Sequence, residues 1–298
     1  MKLSNKIIKK TGMGFLVLIL MVFIAILRAD REIILPEIAA MIAGMWIYEE
    51  PSWINNPYKI FFIPSGTAII GFIINQFKIN YSLKIILSAT FMMMFLMVTR
   101  STLATSLATG FLPIIVNATE FSFLIAIFIT TFIVMMGVLI SAGQPKIAAK
   151  QPINYLNYFI FLLLLIIWVG FTQLIDHAQM GVIPPVMVTF FEVLNKPKYR
   201  FDLLVRQIFA LSLAALISWF IFQFTANWLV TVTLALPLIV LMLKFLSLKL
   251  PAAFVFPFLI IVLPANMAQV LPLSTFILAT IFLSTTYLLK NQHKNSNG

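Results

Sequence analysis

The chain has 298 residues, 62% of them hydrophobic and only 10% charged, with a formal net charge of +11 and a mean hydropathy of +1.06. A soluble domain carries roughly 25% charged residues, so a water-solvated globule is excluded and an integral membrane protein is expected. Cysteine is absent, which excludes disulfides, thiolate metal sites and cysteine nucleophiles.

The first apolar run, Gly12 to Leu27, follows the basic segment MKLSNKIIKK and ends in LRADREI. No small-residue cleavage site follows it, so an uncleaved first helix is expected in place of a signal peptide. Five more runs follow: Ile33 to Tyr48, Ile60 to Phe77, Leu83 to Val98, Thr102 to Val116 and Phe121 to Ile140. Ser141 to Asn154, with two prolines, two lysines and a glycine, reads as a linker. The second six are Tyr155 to Ile175, Met180 to Leu194, Leu203 to Phe224, Trp228 to Phe245, Leu250 to Leu263 and Val270 to Leu289, before a polar tail at 290–298. The runs are continuous, not alternating, so helices are expected and a barrel is not. Aromatic residues such as Trp46, Trp53, Tyr155 and Trp228 cluster near run ends, as interfacial belts do.

The two sets of six echo each other. IPSGTAIIGFIINQF (Ile63 to Phe77) returns as ALSLAALISWFIFQF (Ala210 to Phe224), and Lys59 and Arg206 precede them 147 residues apart. Pro36 maps near Pro184 and Pro185. The expected fold is all-α and polytopic, with about twelve transmembrane helices arranged as two six-helix repeats, 1–140 and 155–289, joined by the linker 141–154. An even number of helices per unit makes the repeats parallel, related by an axis along the membrane normal.

Charge fits that count. With the N-terminus in the cytoplasm, sixteen of the twenty basic residues fall in cytoplasmic positions, and four (Arg28, Arg31, Lys78 and Lys84) fall outside. Short loops obey the positive-inside rule, so both termini are expected in the cytoplasm and the chain in the cell membrane. The dispersed positive charge is topology signal, and nucleic acid is not an expected partner. Membrane lipid is, and a homo-oligomer is compatible with the chain.

Several runs are too short for a plain span, which takes about 20 residues, and the fifth and eleventh are the clearest. The fifth carries Thr105, Ser106, Thr109, Gly110 and Pro113; the eleventh carries Pro251 and Pro257. Short, Gly- or Pro-interrupted segments at matching places in two halves point to a transport site, although small residues also mediate tight helix packing. Arg100 and Arg206 abut long apolar sequence and are candidates for meeting an anion; snorkelling topology signals are the alternative. Glu37 and Glu192 lie inside apolar runs and are candidates for proton coupling, because intramembrane carboxylates are costly. His177 and His293 have no partner at metal-ligand spacing. No nucleophile elbow, phosphate loop or HExxH is present, so neither an enzyme nor a cofactor is expected.

Some stretches carry a resemblance. In EEPSWINNPYKIFFIPSGTAIIGFII, Pro51, Pro57, Thr67, Ala68 and Gly71 stand at spacings that resemble the HPP membrane family; in TRSTLATSLATGFLP, Thr99, Arg100, Leu112 and Pro113 agree. Leu103, Ala104 and Thr105 occupy the place of the family's His-Pro-Pro, and LKLPAA supplies Pro251 and Ala252 in the second half. The alternation is also similar to the fusaric-acid-resistance and aromatic-acid-exporter group. The resemblance implies a transporter or channel for a small anion, nitrite-like or an organic or aromatic carboxylate, with its site between the repeats. The contrasting class is a non-transporting membrane scaffold or accessory subunit.

Overall fold

The structure is a computed structural model that describes residues 5–142 and 154–295. Most of the expected linker, with Lys146 and Lys150, lies outside the described residues, as do Lys2 and the last three positions of the tail. Every element among the described residues is helical. In chain order these are α1 (Asn5–Arg28), a 3-10 turn (Arg31–Ile33), α2 (Pro36–Ile42, continued by a π turn over Ala43–Ile47), α3 (Pro51–Ile54), α4 (Pro57–Asn75), α5 (Tyr81–Val98), α6 (Thr105–Ile115) and α7 (Ser122–Ala142). Then come α8 (Tyr155–Leu174), a 3-10 turn (Ala178–Met180), α9 (Pro184–Asn195), α10 (Phe201–Thr225), α11 (Trp228–Phe245), a 3-10 turn (Pro251–Val255), α12 (Phe256–Val262) and α13 (Ala265–Asn295).

Each of the twelve expected runs folds into a helical segment. Among the described residues, eight helices, α1, α4, α5, α7, α8, α10, α11 and α13, are long and apolar enough to cross a membrane, which makes this a polytopic helical membrane protein. The other four segments, α2, α6, α9 and 251–262, are short. The succession long, short, long, long, short, long occurs before residue 143 and again after 153. Several boundaries differ from expectation, among them the starts of α1, at Asn5 in place of Gly12, and of α13. The Pro264 carbonyl accepts from the N–H groups of Met267 and Ala268 and so opens α13 early, and the helix runs on through most of the stretch expected as a polar tail.

Local chemistry sets the punctuation. Proline, whose lost N–H costs nothing in a first turn, opens α2, α3, α4, α9 and the turn at 251. Asn80 and Asn227 cap α5 and α11 by accepting from the N–H groups of Leu83 and Val230. Ala29, Arg100, Asp176 and Ser247 close the preceding helices in the left-handed region, with φ of 52°, 48°, 57° and 51°. The pairs Asn80/Asn227, Ala29/Asp176 and Arg100/Ser247 are each 147 residues apart, as are the limits of α5 and α11 and of the turns at 31 and 178.

The short segments form the interior. Every residue of α2, α6 and 251–262 is buried. α2 packs on 251–255 and on α6, and α9 packs on α6 and on 251–255. Each half thus contributes two members to a closed ring of four short segments. The long helices surround it and present apolar side chains such as Phe23, Phe159, Phe209 and Leu241 outward.

Polar contacts sort the loops into two ends. Lys10 pairs with Glu49, Lys59 donates to the Thr99 and Arg100 carbonyls, Asn157 to Asn195, Arg206 to the Leu246 carbonyl, and Lys290 to those of Leu194 and Lys196. At the opposite end Glu32 accepts from the N–H groups of Thr119 and Glu120, Asn75 donates to Ala118, Ser82 bonds Gln173, and Arg31 lies over the Trp228 ring. Burial pushes the Glu32 carboxyl above its ordinary range, while its two backbone donors pull the other way.

Candidate functional site: a cleft between the halves

The ring of short segments gathers hydroxyls. Thr109 Oγ1 lies 2.7 Å from Thr67 Oγ1, and 2.7 Å and 3.2 Å from the Ser106 and Pro64 carbonyls. Ser106 donates to Leu103 at 2.5 Å, and Ser88 to the Gly110 carbonyl at 3.3 Å. This is a contact surface. A Cβ on Gly71 would stand 1.9 Å from the Gly110 carbonyl oxygen and 3.0 Å from the Pro113 ring. Thr109 and Pro113 thus pack α6 closely on α4, as small residues do at helix contacts. Thr105 Oγ1 is buried without a hydrogen-bond partner among the described residues. Pro251 and Pro257 open 251–255 and α12 and are buried. The segments around Pro113 and Pro257 sit in the same ring, with α2 and α9 between them.

The basic candidates are elsewhere. Arg100 is exposed at the end of α5, and its carbonyl accepts from Lys59. Arg206 pairs with Asp202, 2.6 Å away, and donates to Leu246 at the end of α11. Positive charge at a helix C-terminus satisfies open carbonyls and opposes the helix dipole, and that is the role both Lys59 and Arg206 fill.

The carboxylates separate. Glu37 follows Pro36 in the first turn of α2, is 1% exposed, and its Oε1 has no hydrogen-bond partner among the described residues. α6, α7 and the 251–262 segment packed against α2 carry no charged side chain. Glu192 is half-buried at the end of α9, with Lys196 and Glu50 as its charged neighbours.

A concave site does exist, at the end away from Lys59 and Arg206. A cleft of about 400 Å3 lies between the end of α4, the start of α5 and the end of α6 on one side, and the turn at 178 and Met267 of α13 on the other. Asn75, Tyr81, Lys84, Asn117 and Gln179 are its polar walls. Lys84 Nζ donates to the Asn75 carbonyl at 2.6 Å and to Asn75 Oδ1 at 3.1 Å. A second cavity of about 20 Å3, room for one water, shares Ile115, Gln179 and Met267 with the cleft and reaches Pro184, Leu259 and Ser274. It thus lies beside the cleft, at the ends of α6, α9 and α12. Ser274 Oγ on its wall is buried without a partner among the described residues.

None of the sequence-expected site residues lines either cavity. Sequence reasoning passed over Asn75, Tyr81, Asn117 and Gln179; the one available signal was that Lys84 is among the few basic residues outside the cytoplasmic set. No protein-family model, no curated protein and no solved structure matches the chain. No cluster of three or more His, Asp or Glu that could hold a metal occurs among the described residues.

Proposed function

We propose that the protein is a multi-pass cell-membrane transporter for a small anion, built as two parallel six-helix repeats with twelve crossings and both termini in the cytoplasm. The observation that carries this reading is the ring of short segments at the centre. Two come from each half, each abuts a proline, and they pack across the halves, α2 on 251–255 and α6 on α9. Short helices buried within a bundle place helix ends at depth in the membrane, where they contact a solute as the halves rock. The recurrence at 147 residues supports the repeat, and the segregation of loop contacts to two ends supports alternate crossings. Arg100 and Arg206 remain candidates for the mouth at the Lys59 end, and Glu37 is the stronger of the two proton-coupling candidates, because it is buried without a cation beside it.

The test is uptake by proteoliposomes containing the full chain, over nitrite, formate, nitrate, malate and aromatic acids. Saturable uptake of at least one, above protein-free liposomes, supports the reading. Uptake of none contradicts it and favours a non-transporting scaffold.

A further inference from the structure

Resting on the transporter reading, we infer that the cleft beside Lys84 is the solute-binding vestibule at the end away from Lys59, and that its ligand is a monoanion carrying an apolar body, not a bare inorganic anion. Three features of the cleft lead there. Its volume, about 400 Å3, falls in the range of pockets for small organic ligands, roughly 300–1,000 Å3, and is far larger than nitrite needs. Its walls are mostly apolar, with Ile79, Ile114, Ile115 and Met267 facing a few polar groups. Among the described residues, Lys84 is the only charged one on the wall.

Lys84 is suited to a carboxylate. Its ammonium has three donors, and two are directed to Asn75, which holds the third in place. Tyr81 lines the same wall, with its hydroxyl buried beneath it. Asn117 and Gln179 supply amides, one from each half. The pattern of one fixed cation, neutral amides on the walls and an apolar remainder selects an anion with an apolar tail. Since α4, α5 and α6 form one wall and the second half forms the other, rocking of the halves would open or close the cleft.

Lys84 also caps α4, so the test separates capping from binding. Hexanoate, its neutral isostere hexanamide, and nitrite are titrated calorimetrically into the purified full chain, wild type and the variants Lys84→Gln, Lys84→Arg and Tyr81→Phe. Gln removes the charge and keeps an amide donor on a shorter side chain. The expected result is saturable hexanoate binding, at least about tenfold weaker in Lys84→Gln, the scale of one charge-assisted hydrogen bond. Lys84→Arg retains binding, hexanamide binds poorly to every form, nitrite does not saturate, and melting temperatures stay level. Absence of hexanoate binding to wild type, equal binding of hexanoate and hexanamide, or unchanged affinity in Lys84→Gln overturns the proposal. Lys84-dependent binding with no flux in liposomes would overturn the transport reading and leave the cleft assignment standing.

Discussion

Lys59 and Arg206, 147 residues apart, do the same thing: Lys59 Nζ donates to the Thr99 carbonyl at the end of α5, and Arg206 Nη1 donates to the Leu246 carbonyl at the end of α11. Each basic residue stands near the start of one helix and closes the C-terminus of the next. Removing this cap leaves open carbonyls facing the dipole's negative end. Lys59→Met should lower stability by about 1 kcal/mol, read as a drop in melting temperature in detergent. Lys59→Arg should hold it. A change in solute selectivity with stability intact would instead place Lys59 in the permeation path.

The α4–α6 crossing has no room for a methyl group at Gly71, where an added Cβ would lie 1.9 Å from the Gly110 carbonyl oxygen. Backbone cannot yield as a flexible side chain does, so Gly71→Ala must push the helices apart. Overpacking of this kind costs about 1–3 kcal/mol, and folded yield should fall sharply. Gly170 in α8, where an added Cβ meets nothing within 4 Å, is the matched control. Gly170→Ala should be neutral or slightly stabilising, and equal behaviour of the two variants would mean that the crossing is looser than described.

Glu37 is the charge with the least support around it. The nearest helices are apolar, and the ionisable groups of α1 sit at its ends, with Lys10 already paired to Glu49. An unpaired carboxylate in that setting is costly, so the group is suited to carry a proton. Glu37→Gln keeps shape and removes the titration. Flux by this variant in proteoliposomes should no longer respond to an imposed pH gradient. A response equal to wild type would remove Glu37 from coupling.

Arg100 holds φ at 48°, a left-handed conformation that favours glycine by roughly 1 kcal/mol. Arg100→Gly should therefore fold as stably as wild type or better. Transport by Arg100→Lys and Arg100→Gln, at matched abundance, decides whether the exposed guanidinium also meets the solute. Loss in both, with stability intact, would place it at the mouth. Full activity in both would leave it as a topology signal.

Much of the fold is legible because the chain marks it. Apolar runs are bounded by prolines and by asparagines such as Asn80 and Asn227, and the Lys59–Arg206 spacing announces the equivalence of two helix starts. The role of that pair is not legible, since the carbonyls each one closes are about forty residues downstream. Thr105, Ser106 and Thr109 fit a solute site and a helix contact equally well from sequence; the nearness of Gly71 to Gly110 shows only that α6 packs tightly on α4. The cleft is invisible for a similar reason. Its walls come from residues around 75–84, 114–117, 178–179 and 267, and no local pattern joins them.

The repeat architecture underlies the transport reading, and the cysteine-free chain allows it to be tested directly. Single-cysteine variants in corresponding loops, Lys78→Cys and Ala226→Cys before α5 and α11, Arg100→Cys and Ser247→Cys after them, are treated in intact cells with a membrane-impermeant maleimide. The account predicts labelling of Lys78→Cys and Ala226→Cys from outside, and protection of Arg100→Cys and Ser247→Cys until the membrane is opened. Labelling of Lys78→Cys and Ala226→Cys from opposite sides would contradict parallel repeats, and with them the shared central site.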